Sequence, residues 1–307
     1  MTVFTVHHRT TYRYRKAIQF GPHRMMMRPR DTYDQRHLEH SLTVTPQPAS
    51  LRWSQDVFGN TITTATFQGR AKALTVVSTL LVDHTPISLD PADIELHARV
   101  VPFSYDPFDM PDLQRSIERH YADPAHATAD WARSLLRTDG PTYTHALLTE
   151  LTHRIHRQYT YVGRQEPGIQ APYETLRLGT GTCRDFAVLM METARCLGLA
   201  ARYVTGYIHV APKEAGKTQG GGNTHAWVQV YLPGPGWIDF DPTNNIVGSR
   251  DLIRVASVRE PGQAVPLSGS WSGNAEDSLG MEVAVEVIAN PSVAVQELRQ
   301  TSKTAAR

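Results

Sequence analysis

Cysteine is scarce in this chain of 307 residues, which contains only Cys183 and Cys196. Two cysteines are too few for a disulfide framework, and thirteen positions apart on what we expect to be one helix they cannot reach each other. We therefore expect both to be thiols in a reducing compartment, which predicts a cytoplasmic location. Cys196 faces another side of that helix and is expected to be an inert buried thiol.

An excess of either charge and long apolar runs are also missing. The 31 basic and 30 acidic side chains give a formal net charge of +1, so no bulk field exists to hold a nucleic acid, a membrane surface or a strongly acidic substrate. The amino end has no apolar core of signal-peptide length, and no stretch approaches the roughly 18 apolar residues of a membrane span. We expect a protein that is neither secreted by a standard signal nor membrane-spanning, with no nucleic-acid or membrane partner.

The residues that are present are typical of a globular protein, with 40% hydrophobic and 20% charged side chains and enough length for two domains. The first ninety or so residues alternate β-branched or aromatic side chains with polar ones and break at turn signals such as Gly21-Pro22. This pattern predicts an antiparallel sandwich or half-barrel. Five prolines between Pro86 and Asp112 indicate an irregular connector.

Helical spacing follows the connector, and strands follow the last helix. The predicted helices are 128–137, 141–157 and one from Cys183 to just before Gly198; the predicted strands are 201–210, 224–232, 237–241 and 281–288. The chain is thereby divided into a β-rich domain (1–90), a connector (91–125), a core (126–255) and a C-terminal extension with one strand and a frayed tail (256–307). A glycine-rich loop at 213–222 is expected to be mobile.

The segment from Gly179 to Cys183 delivers a cysteine to the first turn of an apolar helix. The amino end of a helix carries partial positive charge and unpaired N–H groups, which favour a thiolate and can stabilise an oxyanion. Cys183 is therefore a candidate nucleophile, and Gly181 leaves space for a substrate carbonyl. The alternative from this segment alone is a small buried hydrophobic residue.

A thiolate nucleophile needs a base and an orienting carboxylate. His225 begins one predicted strand, and Asp239 and Asp241 lie on its hairpin partner. The two aspartates face the same side, so spacing does not choose between them. A symmetric hairpin also leaves His225 about three residues out of register with Asp241, so a bulge or an asymmetric turn is required.

Other polar groups give weaker signals. The pairs His37-x-x-His40 and His153-x-x-His156 lack the other ligands of a zinc site, so we expect no metal and no cofactor. Asp185 lies in the first turn of the Cys183 helix, where a capping role is expected, and Arg184 could anchor it or a substrate carboxylate.

Several motifs together resemble the bacterial transglutaminase-like proteins, which share the papain-like fold. The core motifs are Gly181-x-Cys183-Arg-Asp-Phe-Ala, Ala201-Arg-Tyr-Val-x-Gly206-Tyr, His225-Ala-Trp227 and Trp237-Ile-Asp-Phe-Asp241-Pro-Thr. The amino-terminal third resembles the β domain that commonly precedes this core, through Val6-His-His8-Arg-Thr-Thr-Tyr12-Arg-Tyr14, Met27-Arg-Pro29-Arg30 and Asp56-Val-Phe58-Gly59-Asn60.

This resemblance implies an α+β fold, in which an antiparallel β-sandwich-like domain precedes a papain-like core whose Cys183 helix packs on an antiparallel sheet. It implies Cys183 as nucleophile, His225 as general base and acid, and Asp241 as the orienting carboxylate. Substrate-binding or oxyanion roles are predicted for Gly181, Thr182, Arg184 and Trp227.

The expected activity is acyl transfer on amide or peptide bonds through a thioester, by a peptidase or amidase whose partner is a peptide or amide-bearing substrate. One alternative is a protein cross-linking transglutaminase, which the missing calcium-loop pattern disfavours. The other is an inactive peptide-binding or scaffolding protein. The sequence makes no prediction of the oligomeric state.

Overall fold

The computed structural model describes residues 2–164, 168–211 and 218–290. A seven-stranded and a five-stranded sheet, both antiparallel, dominate it, and the helices pack against the smaller sheet. The predicted α+β class is confirmed. The predicted mobile loop is described only from residue 218, and the predicted frayed tail, residues 291–307, lies outside the described residues.

The larger sheet is built around one long, bent strand. Side chains of this strand and its neighbour alternate between buried and exposed, as the period of two in the sequence predicts. The buried ones form a core in which Phe4 and Val6 pack with Leu80 and Val82. The strand order is β2-β5-β1-β4-β3. The strands are β1 (Thr2–Met25), β2 (Gln35–Thr45), β3 (Ser50–Gln55), β4 (Thr61–Thr66) and β5 (Ala71–His84).

The connector is irregular, as its prolines predict. It contains two single 3-10 turns, Pro91–Asp93 and Leu96–Ala98, before its first regular helix. The elements that follow are β6 (Val100–Val101), α1 (Met110–Ile117) and α2 (Ala127–Arg133). Thus α2 ends four residues before its predicted end.

The core places helix α5 against a five-stranded sheet in the order β13-β12-β11-β10-β14. Gly198 follows this helix with a φ of 79°, the left-handed conformation expected just beyond a helix end. Its elements are β7 (Thr142–Tyr143), α3 (Thr144–Gln158), β8 (Thr160–Tyr161), α4 (Pro172–Leu178), β9 (Thr180–Gly181), α5 (Cys183–Cys196), β10 (Ala201–Ile208), β11 (His225–Leu232), β12 (Gly236–Asp241), β13 (Ile246–Val247) and β14 (Leu252–Val258).

The last two strands return to the amino-terminal sheet. These are β15 (Leu267–Ser272) and β16 (Ser278–Asn290), and both pair with β1. The predicted strand at 281–288 lies within β16. Residues close to the two ends of the described chain are therefore partners, with Val3 opposite Asn290.

Buried polar contacts join the large sheet to the core. The side chain of Asn60 donates to the carbonyl of Ser257 at 2.9 Å and accepts its N–H at 3.1 Å. Gln35 makes the same double contact with the backbone of Arg254, at 2.7 and 2.9 Å. Amide side chains suit this role because each satisfies one backbone donor and one backbone acceptor at once.

Candidate active site

Cys183 is the first residue of helix α5, separated from the short strand β9 by Thr182 alone. Thr182 is the N-cap, and it shares reciprocal hydrogen bonds with Asp185, whose carboxylate accepts the Thr182 N–H at 2.8 Å. This capping box fixes the helix start and thereby the backbone position of Cys183. The residue is buried, with 7% of its surface exposed.

Asp185 has a structural role, in agreement with the predicted capping role. Its carboxylate is fully buried and accepts the Thr182 hydroxyl, the backbone N–H of Gln170 at 2.8 Å and the Arg164 guanidinium at 3.1 Å. The hydrogen-bonding capacity of this buried carboxylate is thus taken up by groups that hold the helix start. Arg184 is not among these donors, so it does not anchor Asp185.

The hairpin between β11 and β12 is closed by a three-residue turn and has a continuous register. Leu232 pairs with Gly236 across three residues, and the register continues to Val228 opposite Phe240. One further step sets Asp241 opposite residue 227 and therefore diagonal to His225, within reach of a long side chain. The predicted bulge or asymmetric turn is therefore wrong: the register is continuous, and the diagonal reach of the His225 and Asp241 side chains bridges the two-residue offset.

The two aspartates of β12 consequently serve different rings. Asp241 Oδ2 lies 2.8 Å from His225 Nε2, whereas Asp239 Oδ1 accepts the indole N–H of Trp227 at 2.6 Å. Asp239 also pairs with Arg254 at 3.1 Å. Each aspartate reaches the ring diagonal to it, so the strand register distinguishes two carboxylates that spacing left equivalent.

The ionisation of the buried pair follows from its contacts. Burial acts to lower the pKa of His225, but the Asp241 carboxylate, its hydrogen bond and the neighbouring Cys183 thiol together raise that pKa to about 10. Burial acts to raise the pKa of Asp241, but His225, Asn244 and the Thr243 N–H outweigh it and lower that pKa. At neutral pH the pair is therefore an imidazolium and a carboxylate.

Cys183 lies beside the other side of the imidazole. It contributes to the raised pKa of His225, yet His225 Nδ1 is buried and makes no full hydrogen bond within the described chain. The thiol–imidazole contact is thus looser than the 2.8 Å contact to Asp241, as is common before substrate binds. The structure brings Cys183, His225 and Asp241 together at one site.

Asn244 is a further member of the site. Its amide donates to Asp241 Oδ2 at 2.8 Å and to the carbonyl of Gln219 at 3.1 Å, and its oxygen accepts the Gln219 N–H at 2.7 Å. It therefore ties the segment before β11 to the carboxylate. Sequence reasoning missed this residue, although it lies three positions after Asp241 in a turn, where asparagine commonly bonds to nearby groups.

Two other groups near the site were also missed. Gly220 has a φ of 88°, and a Cβ there would lie 2.5 Å from His225 Nδ1, so only glycine allows this close approach. Tyr161 is half-buried, and its pKa is raised first by burial and then by the charge of Cys183. Its place beside the thiol follows from the parallel pairing of β8 with β9.

The predicted substrate contacts occupy different positions. The predicted substrate contact of Trp227 is wrong, because this side chain is fully buried. It stacks on His225 with ring centroids 5.9 Å apart and so supports the imidazole. The predicted substrate-binding or oxyanion role of Thr182 is also wrong, because its hydroxyl is hydrogen-bonded to Asp185. Gly181 is buried against Asp185 and Phe186. Arg184 is half-buried and makes no ion pair within the described chain.

The histidine pairs do not form metal sites in the described ranges. His37 and His40 lie on strand β2 and not on a helix, with ring centroids 6.2 Å apart. On α3, His156 makes a 2.9 Å hydrogen bond with the Thr243 carbonyl. Among the described residues, no group of three or more His, Cys, Asp or Glu side chains could hold a metal ion.

Comparisons with known proteins identify the family of this chain. Residues 4–83 match the model of the bacterial transglutaminase-like N-terminal region, and residues 129–242 match that of the transglutaminase-like superfamily. An uncharacterized protein of Mycobacterium tuberculosis is 30% identical over 305 residues, covering 93% of this chain and 92% of its own.

Two further matches differ in how much of the chain they cover. A protein-glutamine gamma-glutamyltransferase of Pseudomonas aeruginosa is 32% identical over 79 residues, which are 23% of this chain and 11% of that protein. The crystal structure of a proposed cysteine protease from Cytophaga hutchinsonii has a TM-score of 0.71 at 22% identity, covering 95% of this chain and 91% of its own. At that identity the match shows the fold.

Proposed function

Since this chain belongs to the bacterial transglutaminase-like family, we propose that it is a cysteine-dependent acyl-transfer enzyme that acts on amide or peptide bonds through a thioester. The observation that carries this proposal is the buried 2.8 Å contact between His225 and Asp241 beside Cys183. An imidazolium held against a carboxylate, next to a cysteine at a helix amino end, is what thiol acyl transfer requires.

In the first half-reaction, the Cys183 thiolate attacks the amide carbonyl carbon and forms a C–S bond. The negative charge moves to the carbonyl oxygen, where the backbone N–H groups at the amino end of α5 can stabilise it. The C–N bond then breaks, and the His225 imidazolium gives its proton to the departing amine. The products are a thioester on Cys183, a free amine and a neutral imidazole.

In the second half-reaction, neutral His225 takes a proton from water or from an amine that attacks the thioester. The C–S bond breaks, and the thiolate and imidazolium are restored. Asp241 remains ionised throughout and holds the ring orientation through Nε2, which leaves Nδ1 for the proton transfers. Trp227 and Asn244 act as positioning residues, since one backs the ring and the other bonds the carboxylate.

We favour water as the acceptor, which makes the enzyme a peptidase or amidase. The second candidate is a protein cross-linking transglutaminase, and one observation favours it: the partial similarity to a protein-glutamine gamma-glutamyltransferase. The two candidates share the thioester and differ only in what attacks it.

The test is intact-mass spectrometry of the protein after incubation with a panel of glutamine peptides and other peptide amides. We expect a covalent adduct on Cys183 whose mass names the acyl group, and none with Cys183→Ala. Products formed with and without a fluorescent primary amine then separate hydrolysis from amine transfer. If no substrate in the panel yields an adduct or a product while peptides still bind, the scaffolding alternative is favoured.

A further inference from the structure

A cavity lies at the amino-terminal sheet, and none of the residues that line it belongs to the proposed active site. We call it the edge cavity: its volume is about 410 Å³, and it is lined by residues 28–31, His37, residues 53–55 and Thr61. These residues come from the loop after β1 and from strands β2, β3 and β4. Strands β2 and β3 are the two outer strands of the sheet order. The volume lies in the range of small-ligand sites.

The charges in the edge cavity are unbalanced. Arg28 is half-buried, with its guanidinium 5.6 Å from the centre of the Trp53 ring, and Arg30 bonds the carbonyl of Phe58 at 3.0 Å. Neither arginine pairs with a carboxylate in the described part of the chain. The Asp31 carboxylate already accepts the His37 N–H at 2.6 Å. Guanidinium groups held by aromatic and carbonyl contacts remain able to bind a carboxylate.

Strand β3 beside this cavity is an open edge. Its strand neighbour is β4, all six of its residues are exposed, and no second strand covers it within the described residues. Trp53 is 47% exposed, and Leu51 and Val57 nearby are also exposed. An open edge strand offers unpaired backbone groups to an added strand, and exposed apolar side chains beside it are typical of an interaction surface.

We propose that β3 and the edge cavity bind an extended peptide with alternating acidic and apolar residues. The peptide adds as a strand to β3, an acidic side chain enters the cavity between Arg28 and Arg30, and apolar side chains cover Trp53. The inference gives a role to two motifs that the active site does not use, Met27-Arg-Pro29-Arg30 and Asp56-Val-Phe58-Gly59-Asn60. The second motif holds the first, since Phe58 accepts from Arg30 and Asp56 fixes the turn.

The two arginines of the edge cavity, which have no carboxylate partner in the described part of the chain, favour an acidic peptide over a neutral or basic one. A small anion could meet the arginines but would leave the β3 edge and Trp53 uncovered. The proposal does not depend on catalysis, so it is tested in a Cys183→Ala background, where binding is measured without turnover. Failure here leaves the proposed acyl transfer untouched, and failure of acyl transfer leaves this site untouched.

The experiment is fluorescence anisotropy with a labelled peptide of alternating Glu and Val residues. We expect saturable binding that weakens with added salt, and about tenfold weaker binding of the matched Gln–Val peptide. Arg28→Gln and Trp53→Ala should each weaken the Glu–Val peptide severalfold. Arg70→Gln removes an equal charge from an exposed site elsewhere and should have no effect. A Glu–Val peptide methylated on its backbone nitrogens should lose binding, because it lacks the donors for strand addition.

Four results would overturn the proposal. Equal binding of the Glu and Gln peptides would remove the role of the arginines. Equal losses in Arg28→Gln and Arg70→Gln would show non-specific charge attraction. Succinate or inorganic phosphate that competes as strongly as the peptide, or an N-methylated peptide that binds unchanged, would show a small-anion site without strand addition.

Discussion

The two thiols of helix α5 lie thirteen residues apart in unlike surroundings. Cys183 adjoins a charged imidazolium at the amino end of the helix, whereas Cys196 ends the helix, where burial raises its pKa to about 11. Only the thiolate is nucleophilic, and at that pKa roughly one molecule in ten thousand carries it at Cys196 near pH 7.

We therefore expect iodoacetamide to label Cys183 at least about tenfold faster than Cys196 near neutral pH. Peptide mapping by mass spectrometry at several times gives both rates in one sample. His225→Ala should slow the labelling of Cys183 and leave that of Cys196 unchanged. Equal, slow labelling of both cysteines would support the scaffolding alternative.

Asp241 and Asp239 form a natural pair for a pH experiment. The proposed mechanism needs a protonated His225, so activity is lost as pH rises through its pKa of about 10. Asp241→Asn removes the charge that raises this pKa, while burial still lowers it. We expect the alkaline limb of kcat/KM to move to lower pH and the maximum to fall on the order of a thousandfold.

Asp239→Asn is the matched control, because Asp239 bonds Trp227 and Arg254 and does not touch His225. It should lower activity less and leave the alkaline midpoint near its original value. Equal shifts of the alkaline midpoint in both variants would contradict the assignment of Asp241 as the partner of the imidazole.

At the level of the element, helix α5 depends on its amino end. The carboxylate of Asp185 joins the N-cap residue Thr182 to Arg164 and to the backbone of Gln170. Because these donors converge on one buried carboxylate, a side chain with fewer acceptor oxygens leaves some of them unsatisfied.

Asp185→Asn is expected to lower the free energy of unfolding by about 2–4 kcal/mol. Urea denaturation followed by circular dichroism measures this loss. Thr182→Ser keeps the capping hydroxyl and should cost less than about 1 kcal/mol. A comparable loss in the two variants would mean that the carboxylate is not the main determinant of this helix start.

For the whole molecule, the sheet and the core are joined through a few buried polar groups. Asn60 satisfies both backbone groups of Ser257 and also donates to Asp56 at 3.0 Å. Strands β15 and β16 add a second connection, because the chain leaves the core after β14 and pairs again with β1. We expect the two parts to unfold in one transition.

Asn60→Ala should therefore lower the stability of the whole chain by about 2–4 kcal/mol, since it leaves two buried backbone groups without partners. Thermal unfolding followed by both Trp fluorescence and circular dichroism measures this loss. Gln55→Ala, at an exposed site nearby, is the control and should change the stability by no more than about 0.5 kcal/mol. A variant in which only one probe changes would show that the two parts unfold separately.

No helix in the described ranges is both long and apolar enough to cross a membrane. The cytoplasmic location stays a prediction, which cell fractionation tests. A net charge of +1 predicts no bulk attraction for acidic partners. The pair of arginines beside an open strand, Arg28 and Arg30, is a local feature that the net charge of the whole chain does not show.

The sequence by itself determined the features that depend on neighbouring residues. Cys183 at a helix start, Gly198 at its end and the β11–β12 hairpin follow from capping, periodicity and turn residues, which act within a few positions. Spacing left Asp239 and Asp241 equivalent and only the family resemblance implied Asp241, whereas the tertiary structure gives the physical reason: a three-residue connection sets the strand register that brings Asp241 to His225. The tertiary structure also decided the contacts of Asn244 and the return of β16 to β1, which join distant positions that no local pattern links.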